Sequence, residues 1–129
     1  MVAVDTNVVV RLLTRDDAAQ VKRAAALFRA NEIWIAKTVL LEAEWVLRYS
    51  YELERAAILR GILGLLGLPT VSVEDSVAVA RALQWYGGGL DLSDALHLAS
   101  RGDAARFATF DRKFIKQAAP LTGLDVFSP

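Results

Sequence analysis

Short runs of β-type apolar residues alternate along the chain with longer stretches of helical periodicity, and this alternation most constrains the fold. The pattern is typical of an α/β domain with a mostly parallel sheet flanked by helices. The runs that predict strands are 2–4, 33–36, 71–73, 107–110 and 126–127. The predicted helices are 7–13, 18–30, 38–49, 52–66, 75–86, 91–101 and a short helix after residue 111.

The predicted topology brings the ends of two strands together. Right-handed crossovers would place helices on both faces of the sheet, giving a three-layer α/β/α fold with strand order about 3-2-1-4-5. Strands 1 and 4 then lie side by side where the winding reverses, and ligands bind at the carboxyl ends of strands there. Those ends carry Asp5 and Asp111. A length of 129 residues fits one domain spanning 1–129.

Composition narrows the class of function. Lys and Arg equal Asp and Glu at 15 each, so there is no overall basic field of the kind that attracts nucleic acid. A nuclease that meets phosphate through a metal ion needs less of that field. Cysteine is absent, which excludes disulfides, thiolate nucleophiles and zinc–thiolate sites. No signal peptide or bilayer-spanning apolar run is recognisable, and we expect a cytoplasmic protein.

Several acids have an ordinary structural explanation. Asp5 and Asp111 could each cap the helix that follows their strand, and taken singly that explanation is favoured. Asp91 and Asp94 resemble a capping box, with Asp91 as the cap and Asp94 in the first turn near the positive end of the helix. We assign Asp94 to metal binding and keep Asp91 mainly as a cap, with a supporting ligand role open.

Glu42 lacks such an explanation. Its neighbours three and four residues away on a helix include no cation, so it is predicted on a largely apolar face where a carboxylate needs a partner. Glu44 has Arg48 four residues later, the favourable order for a surface ion pair, and is predicted to face solvent.

Bringing such acids together would be costly without a cation. Two carboxylates about 4 Å apart repel by about 4 kcal/mol at an effective dielectric of 20. That is comparable with the whole stability of a small domain, about 5–15 kcal/mol. Oxygen ligands without His or Cys suit Mg²⁺ or Mn²⁺, and metal binding is the economical expectation.

Four stretches in order resemble the PIN-domain family, and within it the VapC-type toxins of type II toxin–antitoxin systems. They are Val4-Asp5-Thr6-Asn7-Val8, Leu41-Glu42-Ala43-Glu44-Trp45-Val46-Leu47, Asp91-Leu92-Ser93-Asp94-Ala95-Leu96-His97-Leu98-Ala99 and Thr109-Phe110-Asp111. No single stretch is decisive, whereas the ordered set covers nearly the whole chain.

The resemblance implies a Mg²⁺- or Mn²⁺-dependent ribonuclease, a homodimer, and an antitoxin protein that covers or enters the active site. The residues that correspond to the family's acidic metal-binding and catalytic positions are Asp5, Glu42, Asp94 and Asp111. Secondary polar positions of the pocket are Asn7, Asp91 and Thr109. Two other classes remain open: a non-catalytic RNA-binding or dimerisation module of the same fold, and a metal-dependent DNA nuclease.

Further side chains carry two interpretations each. Arg11, Arg112 and Lys113 could bind phosphates beside the site or lie on a solvated helix surface. The apolar helical stretch 55–66 could be a core helix or a contact for another protein. Trp34, Trp45 and Trp85 fit core positions at least as well as base-stacking ones.

Overall fold

A computed structural model describes all residues, 1–129, and has the α/β class that the sequence predicts. Every pairing between strands is parallel. The elements are β1 (Val2–Ala3), α1 (Thr6–Thr14), α2 (Ala18–Ala30), β2 (Ile33–Ile35), α3 (Lys37–Tyr49), α4 (Arg55–Leu66), β3 (Val71–Val73), α5 (Ser76–Gly87), α6 (Leu92–Ala99), β4 (Arg106–Ala108), α7 (Arg112–Thr122) and β5 (Asp125–Phe127). No helix is both long enough and apolar enough to cross a bilayer.

The chain forms two compact units, and the first, Met1–Ser76, contains a three-stranded sheet. β2 is the central strand and pairs with β1 on one side and β3 on the other, with Ile33 opposite Val2 and Val71. Ile33 and Ile35 are fully buried, as expected of a strand covered on its sides by neighbours. Asp5 follows the carboxyl end of β1 and directly precedes α1.

The helices of the first unit pack through narrow apolar stripes. α1 contacts α2 and α3, α3 contacts α4, and α4 contacts β3. In α4 the buried side chains Ile58, Ile62 and Leu65 recur at helical spacing, which confirms the core interpretation for that face. Leu63, on the same helix, is 51% exposed, so the helix is not buried on every side.

Helix α3 corrects the two glutamate assignments. Its buried stripe is Leu40, Ala43, Glu44 and Leu47, and Glu44 is only 1% exposed. Glu42 is exposed instead, so both predicted orientations were wrong. The predicted pair with Arg48 does exist, with Arg48 Nε 3.0 Å from Glu44 Oε2, but it lies at the edge of the core. A cation four residues away indicates solvent exposure in the sequence, whereas in the fold it allows the Glu44 carboxylate to be buried.

The second unit, Val77–Pro129, holds a two-stranded sheet in which β4 pairs with β5. α7 packs against β5, and the rings of Phe107 and Phe114 lie 5.6 Å apart. α5 ends at the predicted run of glycines. A Cβ at Gly88 would come within 2.5 Å of the Leu121 side chain, so a larger residue at this position would require Leu121 on α7 to move.

The observed pairings match both halves of the predicted strand order. β3, β2 and β1 are neighbours in that sequence, and β4 neighbours β5. Adjacency of strands 1 and 4 stays a prediction.

Several helix boundaries differ from the predicted ones, and α6 ends at Ala99 rather than at residue 101. Residue 52 does not begin α4, because Glu52 has a φ of 53° in the left-handed region and the helix starts at Arg55. Asp75 has a φ of 49°, so α5 begins at Ser76. The helix after Asp111 is longer than predicted, at 11 residues.

Candidate active site

Asp5 and Glu42 meet at the start of α1. The Asp5 carboxylate caps α1 by accepting a hydrogen bond of 2.7 Å from the Thr6 amide. Thr6 is buried, and its hydroxyl donates to Glu42 Oε1 at 2.5 Å. Thr6 was not predicted as a site residue, and its position directly after Asp5 was the only available signal. It fixes the Glu42 carboxylate on α3 beside the first turn of α1.

A cavity of about 410 Å³ opens beside this pair. Asp5, Asn7 and Glu42 line it, so one predicted secondary residue shares a pocket with two of the predicted acids. Ser50 and Tyr51, which directly follow α3, also line this cavity. The cavity is therefore rich in oxygen ligands.

Arg11 also lines this cavity, but its guanidinium already has partners. It donates to Asp16 at 3.0 Å, to Gln20 at 2.6 Å and to the Tyr51 hydroxyl at 2.9 Å. This hydrogen bond to Tyr51 is the main reason that the pKa of Arg11 is raised. The Tyr51 hydroxyl in turn donates to Asp16 Oδ2 at 2.6 Å, and that bond is the main reason that the pKa of Asp16 is lowered. A phosphate would have to share Arg11 with this network, so its predicted role in substrate binding requires exchange of partners.

The second unit brings Asp94 near two other carboxylates. Asp91 caps α6, its Oδ1 accepting from the Asp94 amide at 3.3 Å, as the capping-box interpretation predicts. Asp94 is half-buried in the first turn. Burial raises the pKa of the Asp94 carboxyl, and the charges of Asp91 and Asp111 raise it further, against a smaller opposite effect of His97. Asp94 therefore holds a proton more tightly than an ordinary aspartate.

Asp111 is held by its own backbone surroundings. Its carboxylate caps α7 by accepting from the Phe114 amide at 3.0 Å, and its amide donates to the Thr109 hydroxyl at 3.1 Å. Thr109, predicted as a secondary residue, thus orients the turn that presents Asp111. Arg112 and Lys113 follow in the first turn of α7 and are exposed. Asp111 can still act as a ligand while it caps α7, because its second carboxylate oxygen can accept a hydrogen bond or coordinate an ion.

The predicted acids fall into two sets. Asp5 and Glu42 lie together in the first unit, and Asp91, Asp94 and Asp111 interact in the second. Their ligand atoms are all carboxylate oxygens, the type that suits Mg²⁺ or Mn²⁺. No group of three or more His, Cys, Asp or Glu side chains is arranged to hold a metal ion as it stands. Convergence of the four predicted ligands on one centre is therefore a proposal.

The raised pKa of Asp94 gives a prediction on stability. The folded protein binds this proton more tightly than the unfolded chain, so stability falls as pH rises from the ordinary value of 3.8 through the higher folded pKa. In EDTA at pH 7, we expect Asp94→Asn to unfold at higher urea than the wild type. The difference should shrink as the pH approaches 4. Asp103→Asn, at an exposed loop position, is the control, and equal urea midpoints for wild type and Asp94→Asn at pH 7 would contradict the prediction.

Comparison with known proteins identifies the family. A sequence model described as PIN domain matches residues 2–120, a span that includes all four predicted acids. The chain belongs to the PIN-domain family, whose members are generally metal-dependent nucleases. No curated protein and no solved structure matches the chain.

Proposed function

We propose that this protein is a Mg²⁺- or Mn²⁺-dependent endoribonuclease. The observation that carries the proposal is the surroundings of Asp94. The charged groups that shift its pKa are two carboxylates, Asp91 and Asp111, and a single exposed histidine. Acids crowded in this way, without arginine or lysine among those groups, are suited to binding a cation.

Each acid has a role in this proposal. The residues that would hold the ion are Asp5, Glu42, Asp94 and Asp111. When bound, the ion would neutralise charge on the scissile phosphodiester and ease the deprotonation of an attacking water. Glu42 is oriented by the Thr6 hydroxyl, and Asp111 by the Phe114 amide, so neither has to be ordered at the moment of reaction. Without the ion, burial and the charges of Asp91 and Asp111 raise the pKa of Asp94, whereas a bound ion would favour the charged carboxylate that serves as its ligand.

The exposed cations of α7 support a nucleic acid as the substrate. Arg112 and Lys113 follow Asp111 directly and could contact phosphates on either side of the cleaved bond. Arg11 would contribute only by exchanging Asp16 or Gln20 for a phosphate. Because the net charge is balanced, electrostatic attraction of RNA would depend on local groups of cations such as Arg112 and Lys113.

The biological role proposed is that of a type II toxin. The support is the ordered set of VapC-like stretches, now joined by the family match over residues 2–120. The toxin would act on cytoplasmic RNA as a homodimer of single-domain chains, and a cognate antitoxin protein would hold it inactive by covering the acids.

The first experiment is cleavage of end-labelled total cellular RNA by the purified protein, with Mg²⁺, with EDTA, and with Asp5→Asn. We expect cutting with Mg²⁺ only, and its loss in the variant, because Asp5 is a proposed ligand. Asp17→Asn is a matched control, since Asp17 also caps a helix but lies outside both acidic sets. Parallel reactions with single-stranded and duplex DNA test the deoxyribonuclease alternative.

Other outcomes would each redirect the assignment. Binding of RNA in EDTA without cutting in Mg²⁺ would favour the non-catalytic module. Cutting that survives Asp5→Asn would contradict the proposed site. Preferential cutting of DNA would replace ribonuclease with deoxyribonuclease.

A further inference from the structure

Two large aromatic side chains on α3 are exposed. Trp45 is 54% exposed and Tyr49 is 59% exposed, so the core position considered for Trp45 was wrong. Their ring centroids lie 5.0 Å apart with the planes tilted by 47°. The Arg48 guanidinium carbon lies 4.7 Å from the centroid of the Tyr49 ring. An aromatic pair edged by a guanidinium is thereby presented to solvent.

This pair lies on the same helical face as Glu42. Spacings of three and then four residues place Glu42, Trp45 and Tyr49 in one row along α3, and all three are exposed. At a rise of about 1.5 Å per residue, the aromatic pair begins about 4.5 Å along the axis from Glu42 and ends about 10.5 Å from it. The rings therefore lie within reach of nucleotides adjacent to a phosphodiester bound at Glu42.

We propose that Trp45 and Tyr49 form a stacking surface for unpaired bases of the RNA next to the cleaved bond; this inference rests on the proposed ribonuclease function. Every base has a π-face, so stacking on Trp and Tyr holds a strand without reading a sequence. A base paired within a duplex already stacks on its neighbours and does not present that face to a protein side chain. The aromatic row would therefore bind unpaired nucleotides in preference to duplex RNA.

Charge and area favour bases over other occupants. The exposed faces of the two rings are flat and uncharged, so among the parts of an RNA strand the bases fit them better than the charged backbone does. A Trp or Tyr side chain covers roughly 150–250 Å² in all, so two half-exposed rings offer far less than the roughly 800 Å² per partner of a stable protein interface. A second copy of the chain would need much more surface than this pair.

The test compares steady-state cleavage of an unstructured 20-nucleotide RNA pool with the same pool annealed to its complement. In Trp45→Leu and Tyr49→Leu, we expect KM for the single strands to rise roughly 5- to 100-fold, the loss typical of one stacked base, with little change in kcat. Trp45→Phe keeps an aromatic face and should stay close to the wild type. Leu63→Ala removes an equally exposed apolar side chain from α4 and should change nothing.

A second measurement does not require cleavage. Of the three tryptophans, Trp85 is buried, Trp34 is partly buried and Trp45 is exposed, so base stacking on Trp45 in EDTA should quench a fluorescence component that Trp45→Phe lacks. Duplex RNA should quench it less. This signal reports occupancy of the aromatic row even if the protein cuts no RNA.

The outcomes separate this inference from the function on which it rests. Cutting by the wild type with unchanged KM in Trp45→Leu and Tyr49→Leu would overturn stacking and leave the ribonuclease standing. Unchanged KM together with a shift from dimer to monomer on gel filtration would assign the face to a second copy and also overturn stacking. Quenching that depends on Trp45 without any cutting would support stacking while the catalytic proposal fails. Neither quenching nor cutting would overturn both.

Discussion

Glu42→Gln should lower the rate of RNA cleavage by more than about 100-fold. Loss of a residue that only orients a metal ligand costs about 10–100-fold, and Glu42 is proposed as a ligand itself. Glutamine keeps the size of the side chain and its acceptor for the Thr6 hydroxyl, so the loss would report the negative charge. Glu54→Gln, at an exposed position whose side chain makes no capping hydrogen bond, is the matched control.

Thr6 extends this prediction by one step. Thr6→Val preserves the shape of a buried side chain and removes the hydroxyl that orients Glu42. Cleavage should fall by about 10–100-fold, less than for Glu42→Gln, and Thr6→Ser should restore most of it because the hydroxyl returns. Thr122→Val, which also removes a helix threonine hydroxyl that donates to a backbone carbonyl, controls for loss of such a group.

Combining Thr6→Val with Glu42→Gln tests whether the two residues act through one another. If Thr6 acts only by orienting Glu42, the double variant should be no slower than Glu42→Gln alone. Multiplied losses would show that Thr6 has a separate effect, and a Thr6→Val enzyme as fast as the wild type would contradict the orienting role. Urea unfolding of each variant separates an effect on catalysis from an effect on folding.

Much of the fold could be predicted because it depends on local patterns. Helical spacing gave the bounds of α2 without error, and the β-type run gave β3. The two shortened helix starts follow from left-handed backbone at Glu52 and Asp75, which no hydrophobic pattern encodes in residues of this type. The local geometry of Asp91 and Asp111 was predictable for the same reason, since a cap depends on the helix that follows it.

Features that depend on distant contacts could not be predicted. The Thr6–Glu42 hydrogen bond joins residues 36 positions apart, and the bond between Arg11 and Tyr51 joins residues 40 apart. For Glu44, two local signals in the sequence conflict. Its position in the repeat of Leu40, Ala43 and Leu47 indicated the core, while its charge indicated solvent. Its pairing with Arg48 was predictable from the spacing of four residues, whereas its burial depends on the packing of the rest of the fold against α3.

The buried pair of Glu44 and Arg48 leads to the largest predicted effect on stability. Arg48→Met would leave the Glu44 carboxylate in the core without this arginine. Breaking a buried pair costs about 3–5 kcal/mol, and because Arg48 is 36% exposed we expect about 2–3 kcal/mol. Arg106→Met removes a cation that lies closer to its acid, 2.7 Å from Asp125, but both side chains are more than half exposed. That loss should stay below about 1 kcal/mol.

A double variant distinguishes the destabilisation caused by one unpaired buried charge from the net contribution of the ion pair to the free energy of unfolding. Glu44→Met with Arg48→Met replaces both charges by apolar side chains of similar volume, and it should be more stable than Arg48→Met alone. Free energies of unfolding from urea titrations at pH 7 would measure both effects. If Arg48→Met and Arg106→Met lowered the free energy of unfolding by similar amounts, burial of Glu44 would not make the stability of the protein more dependent on its ion pair. Since α3 also carries Glu42 and the aromatic row, a weakened α3 should lower cleavage and RNA binding together, whereas Glu42→Gln should affect cleavage without this loss of stability.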